Sequence, residues 1–114
     1  MSALTHLSDL DELEAAIAES RERPVLVFKH SRTCGVSAEA LDELRTHVER
    51  AAGGVSYKMI TVQSHRRVSD EAATRFGIRH ETPQAILLRH GRPVSNASHF
   101  RITASHLDRM ILIG

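Results

Sequence analysis

The sequence predicts an α/β fold. A central four-stranded mixed sheet, built as a βαβ unit followed by a ββα unit, is flanked by helices, with one extra helix at the N-terminal end. Three observations carry this reading. Val25-Leu26-Val27-Phe28 is an apolar run without polar alternation, as a central strand buried on both faces requires. A long helical pattern follows, with Val36, Ala40, Leu41, Leu44 and Val48 on one stripe. Tyr57 to Val62 is then a second strand, parallel to the first because the intervening helix crosses over the sheet.

The elements follow in order. Ser8 or Asp9 caps a first helix whose first turn holds Asp11 and Glu12, where negative charge is favoured. Leu10, Leu13, Ala16 and Ile17 give it an apolar face, and Arg21 to Pro24 ends it. The strand Val25 to Lys29 leads through a tight turn into the long helix, which runs to about Arg50 and stops at Gly53-Gly54. A third helix spans Ser69 to Phe76, with Gly77 as its stop. After the connector His80 to Gln84, the strands Ala85 to Leu88 and Val94 to Ser98 form a hairpin around His90-Gly91-Arg92. Thr103 caps a last helix, and Ile102 and Leu107 stand at hydrophobic-staple positions. Residues 1–114 form a single domain, without repeats or linkers, large enough to bury a core.

Composition excludes several classes. There are 15 basic and 14 acidic residues, and the basic ones are scattered, so no nucleic-acid footprint is expected. No apolar run approaches the ~20 residues of a membrane span, and no signal peptide is read at the N-terminus. One cysteine cannot form an internal disulfide, and a free thiol fits a reducing, cytoplasmic setting. Eight histidines are spread along the chain with no ligand spacing and no second cysteine, so no metal site is expected.

The cysteine is where the chemistry is expected. Thr33-Cys34-Gly35-Val36-Ser37 places the thiol where the long helix begins, beside unpaired N–H groups and the positive end of the peptide dipoles. That position favours the thiolate, the form that attacks disulfides. Cys34 is therefore the candidate nucleophile. Thr33, Gly35, Val36 and Ser37 shape the turn, and Ser37 is placed to donate its hydroxyl to the sulfur. Lys29 and Arg32 are the cations near enough in sequence to add charge stabilisation, or are ordinary solvated charges.

The order helix, βαβ, helix, ββα resembles the thioredoxin-like fold, which keeps its reactive Cys-x-x-[Cys/Ser] at the first βα turn. Several stretches together resemble the YtxJ-type monothiol bacilliredoxins of the bacillithiol system. They are Phe28-Lys29-His30-Ser31, Thr33 to Ser37, Arg66-Arg67-Val68-Ser69, His80-Glu81-Thr82-Pro83-Gln84 and Ala97-Ser98-His99-Phe100 with Ile102-Thr103. The resemblance covers nearly the whole chain. Gly35-Val36 departs from the Pro-Ile often found there and approaches the Cys-Gly-Phe-Ser of monothiol glutaredoxins, although Asn96 to His99 replaces the glutathione-holding Gly-Gly-x-Asp of that family.

The resemblance implies a cis Pro83 lying against the cysteine, which leaves the Thr82 backbone free to pair with a peptide-like substrate. It places His30, His80 and His99 around the site, either as hydrogen-bonding partners of the loops or as ligands for the small thiol. It also implies bacillithiol as co-substrate with no bound cofactor, and bacillithiolated proteins as partners. The expected function is a monothiol disulfide reductase acting through Cys34. Two other readings remain open at this point: a glutaredoxin-like iron–sulfur carrier, and a non-catalytic redox sensor or adaptor.

Overall fold

The computed structural model of the protein describes residues 4–113. Ten elements follow one another: β1 (Leu4–His6), α1 (Leu10–Glu19), β2 (Val25–His30), α2 (Gly35–Arg50), β3 (Ser56–Thr61), α3 (Arg66–Phe76), β4 (Gln84–Arg89), β5 (Arg92–Ser98), a 3₁₀ turn (His99–Arg101) and α4 (Ala104–Ile113). The sheet has five strands in the order β1-β3-β2-β4-β5, not the four expected. The additional strand is β1, which pairs parallel with β3 at the edge. β2 pairs parallel with β3 and antiparallel with β4, and β4 pairs antiparallel with β5.

Local sequence explains the element ends. Asp9 caps α1: its Oδ1 accepts the Glu12 N–H at 2.8 Å, while Glu12 Oε1 accepts the Ser8 N–H at 2.6 Å. The Thr103 hydroxyl accepts the His106 N–H at 3.1 Å, as an N-cap should. Gly77 takes φ +63° after α3, and the Ile78 N–H closes on the Ala73 carbonyl, a left-handed helix stop that favours glycine. The β4–β5 turn is the two residues His90-Gly91, both with positive φ, and β5 starts at Arg92. α3 begins at Arg66, three residues before the apolar stripe makes it legible.

Side-chain alternation on β2 divides the core. Leu26 and Phe28 face α2 and α4, joining Leu41, Leu44, Leu87, Leu107 and Met110. Val25 and Val27 face α1 and α3, joining Leu13, Ile17, Val68, Phe76, Ile86 and Leu88. The sheet is thus covered on both sides. The same alternation decides the next two residues: Lys29 points toward α3 and His30 toward α2. Among the described residues, no helix is long and apolar enough to cross a membrane.

Candidate active site

Strand register gathers the loops at one end of the sheet. His30 pairs with Thr61, Lys29 with Gln84, and Gln84 with Ser98. The chain therefore leaves β2 at Ser31, leaves β3 at Val62, enters β4 from Pro83 and leaves β5 at His99, all at the same edge. Loops at the carboxyl ends of parallel strands are where α/β proteins place their chemistry. Cys34 sits there, half-buried, as the N-cap residue of α2 in extended backbone (φ −108°, ψ 122°). Its carbonyl accepts the Ala38 N–H at 3.1 Å, while its sulfur is not tied to the helix N–H groups. The thiol therefore lies at the positive helix end and, among the described residues, has no hydrogen-bond partner.

The turn is held by groups that leave the sulfur alone. Ser37 is fully buried, and its Oγ accepts the Ser31 N–H at 2.9 Å and meets His30 Nδ1 at 2.9 Å. The expected hydrogen bond from this hydroxyl to the sulfur is thus replaced by bonds back to the strand end. His30 is kept neutral near pH 7: burial lowers its pKa, and Arg45, Arg32 and His6 add to the effect. Gln63, which the sequence did not single out, binds the loop from β3. Its Nε2 donates to Ser31 Oγ at 2.6 Å and Thr33 Oγ1 at 3.2 Å, and its Oε1 accepts the Arg32 N–H at 3.1 Å. The one signal that could have found it is its place just past the end of a parallel strand. The Arg32 side chain is exposed and, among the described residues, makes no ion pair. Gly35 has open space where a Cβ would stand.

At the same end of the sheet, the Thr82-Pro83 peptide bond leading into β4 is cis. Pro83 is buried, and its carbonyl accepts the His99 N–H at 3.0 Å. His99 adopts φ +55°, unusual for a residue with a Cβ. It lines a groove of about 190 Å³ with Val36, Glu39, Glu43 and Phe100, and Phe100 is 75% exposed. Val36 and His99 are thus brought together beside the start of α2.

Lys29 is placed differently from expectation, whereas His80 hydrogen-bonds the connector loop, one of the two roles expected of it. Lys29 is fully buried on the α3 face, and its Nζ donates to the Ser69 carbonyl at 3.0 Å and to His80 Nδ1 at 3.2 Å. Its bonds do not reach the sulfur, because a residue one step from Phe28 points through the opposite side of the sheet. Burial pushes its pKa down to about 8, partly offset by Asp70. An ammonium only donates, so His80 Nδ1 accepts and its proton resides on Nε2. That nitrogen lies 3.3 Å from Thr82 Oγ1. Lys29 and His80 thus connect α3 to the Thr82-Pro83 segment from behind. Among the described residues, no three His, Cys, Asp or Glu side chains converge as metal ligands.

A free thiol at the β2–α2 turn, at the same end of the sheet as a cis-proline segment, is the arrangement of a thiol oxidoreductase of the thioredoxin-fold class. A solved protein described as a candidate oxidoreductase with a thioredoxin fold is 34% identical (TM-score 0.84), covering 94% of this chain and 92% of that one. Fasciola hepatica thioredoxin (TM-score 0.77, 16% identity, 95% and 96% coverage) and oxidised mitochondrial thioredoxin 3 of Saccharomyces cerevisiae (TM-score 0.76, 16% identity, 97% and 98% coverage) share the fold. Residues 5–107 match the family described as monothiol bacilliredoxin BrxC. The chain belongs to that family.

Proposed function

We propose that the protein removes bacillithiol, or a similar low-molecular-weight thiol, from mixed disulfides on other proteins, with Cys34 as the nucleophile. The Cys34 thiolate attacks the small-thiol sulfur of the mixed disulfide. A new S–S bond joins Cys34 to the small thiol, the original S–S bond breaks, and the target cysteine leaves as a thiolate that takes up a proton. The observation that carries this reading is that the thiol stands half-buried at the N-terminus of α2 in a chain with no second cysteine. No internal disulfide can discharge the adduct. A second thiol from solution attacks the small-thiol sulfur and restores Cys34, giving the oxidised small thiol.

Substrate holding is proposed for Thr82, Pro83 and His99. Among the described residues, neither the N–H nor the carbonyl of Thr82 has a backbone partner, which leaves that edge open to an extended peptide. The partners are then bacillithiolated proteins in a reducing compartment such as the cytoplasm, with bacillithiol as co-substrate and no bound cofactor. The test is intact mass spectrometry after exposure to oxidised bacillithiol, oxidised glutathione or the disulfide of coenzyme A. A preferred bacillithiol adduct on Cys34, absent from Cys34→Ser, is the expected result. Equal labelling by all three would remove the specificity, and an adduct on Cys34→Ser would remove the nucleophile.

A further inference from the structure

Charge is segregated along this chain although its total nearly cancels. Residues 84–113 hold four arginines, Arg89, Arg92, Arg101 and Arg109, against one acid, Asp108. That acid is already engaged: its carboxylate binds His47 Nδ1 and Arg50 Nη2, both at 2.6 Å. Among the described residues, Arg101 and Arg109 are exposed and make no ion pair or side-chain hydrogen bond. Both line a groove of about 490 Å³ between the edge strand β5 and α4, together with His106. Among the described residues, no carboxylate lines it.

The rest of the groove is apolar. Met110 forms its floor, Val94 is 41% exposed on the β5 side, and Ile113 is 83% exposed at the open end. The Ser95 hydroxyl, also in the wall, is buried and, among the described residues, has no hydrogen-bond partner. Uncompensated cations and an unpaired hydroxyl beside an apolar wall complement one kind of molecule. The volume is within the usual range for small-molecule sites, ~300–1,000 Å³.

We propose that this groove is a second binding site, separate from Cys34, for a small amphipathic anion. The ligand's carboxylate sits against Arg101, Arg109 and His106, and its apolar body lies along Val94, Met110 and Ile113. The charged group facing His106 from the 3₁₀ turn is Arg101, and from α4 itself it is Arg109, while β5 contributes only the neutral Val94, Ser95 and Asn96. Burial first, then these two arginines, lowers the His106 pKa. A bound carboxylate therefore raises it, and binding tightens as pH falls through that pKa.

The probe is octanoate, titrated into isotope-labelled protein and followed by NMR. Shifts confined to Val94–Asn96, Arg101 and His106–Ile113, with an upward move of the His106 titration, are expected. The double variant Arg101→Gln, Arg109→Gln changes only exposed side chains and should weaken binding roughly tenfold, about 1.4 kcal/mol. Acetate and inorganic phosphate, which lack the apolar body, should bind at least tenfold more weakly than octanoate. Shifts scattered over the surface, or equal affinity in the double variant, would overturn the proposal. Equal affinity for acetate would reduce the groove to a charged patch. Binding to phosphatidylglycerol vesicles without any response to octanoate would replace the ligand site by a lipid-facing surface. Cys34→Ser should bind octanoate as the parent does, so the result stands apart from the fate of the thiol chemistry.

Discussion

Ser37 looks from the sequence like a spare hydroxyl beside the thiol, yet in the fold it is a brace. Its oxygen satisfies the Ser31 N–H and pairs with His30 Nδ1 while fully buried. Ser37→Ala leaves both partners unmatched, which costs about 1–3 kcal/mol for a buried group. The expected outcome is a lower midpoint of thermal unfolding and faster hydrogen exchange at the Ser31 amide. Unchanged exchange there would mean that the brace is not held in solution. Lys29 gives the same lesson in reverse. A charged residue at the end of an apolar run reads as a strand reaching solvent, but alternation turns it inward. Its partners Ser69 and His80 are remote in sequence and no local pattern marks them. Gln63 was invisible for a related reason, since a loop amide carries no periodic or charge signature.

At the scale of elements, patterning was legible wherever an apolar stripe was long enough. α1, α2 and both core strands were readable because burial on one or both faces imposes a period on the sequence. β1 has only three residues, too few to show an alternation, and the first turn of α3 is polar. The start of α2 carries a prediction. Cys34 has φ −108° and ψ 122°, the region preferred before proline, and Gly35 is the first helical residue, where proline needs no N–H. Gly35→Pro should stabilise the protein by ~0.4–1 kcal/mol by restricting the unfolded chain, seen as a higher thermal midpoint with Cys34 still reactive. A lower midpoint would show that the ring clashes with the turn.

The other end of α2 holds a cluster that sequence reading missed. His47 bridges Asp108 of α4 and Tyr57 of β3, with Nε2 2.8 Å from the Tyr57 hydroxyl, and Asp108 lies 61 residues from His47 along the chain. The hydrogen bond from His47 lowers the Asp108 pKa, with Arg50 adding to it. A depressed carboxyl contributes stability above its ordinary pKa and loses it as pH falls through the folded value. Asp108→Asn should thus cost stability at neutral pH, about 1 kcal/mol because the carboxylate is 38% exposed. The gap from the parent should close below about pH 3.9. A gap independent of pH would assign the cost to shape and not to charge.

Over the whole molecule, the two ends of the sheet are built from different chemistry. One end gathers four loops around a thiol, and the other locks helices and strand with the buried His47 cluster. The thiol was legible because a single cysteine between a strand and a helix is local information. The surroundings were not, because register between distant strands decides them. This division also shapes stability in alkali. Lys29 titrates near 8 when folded and near 10.5 when unfolded, so between these values the unfolded chain binds more protons. Stability contributed through Lys29 therefore rises with pH across that window, by on the order of 3 kcal/mol at ~1.36 kcal/mol per pKa unit. Tyr57 acts in the opposite sense. Burial, aided by Asp108, raises its phenol from 10.0 to about 12, so its contribution is complete below 10 and declines as pH rises toward 12. Chemical unfolding of the parent, Lys29→Met and Tyr57→Phe from pH 7 to 12 separates the two. The parent-minus-Lys29→Met difference should climb from pH 8 and level off near 10.5. The parent-minus-Tyr57→Phe difference should stay flat to pH 10 and then fall. A flat first difference would mean that the Lys29 ammonium is as well solvated in the folded protein as in the unfolded chain.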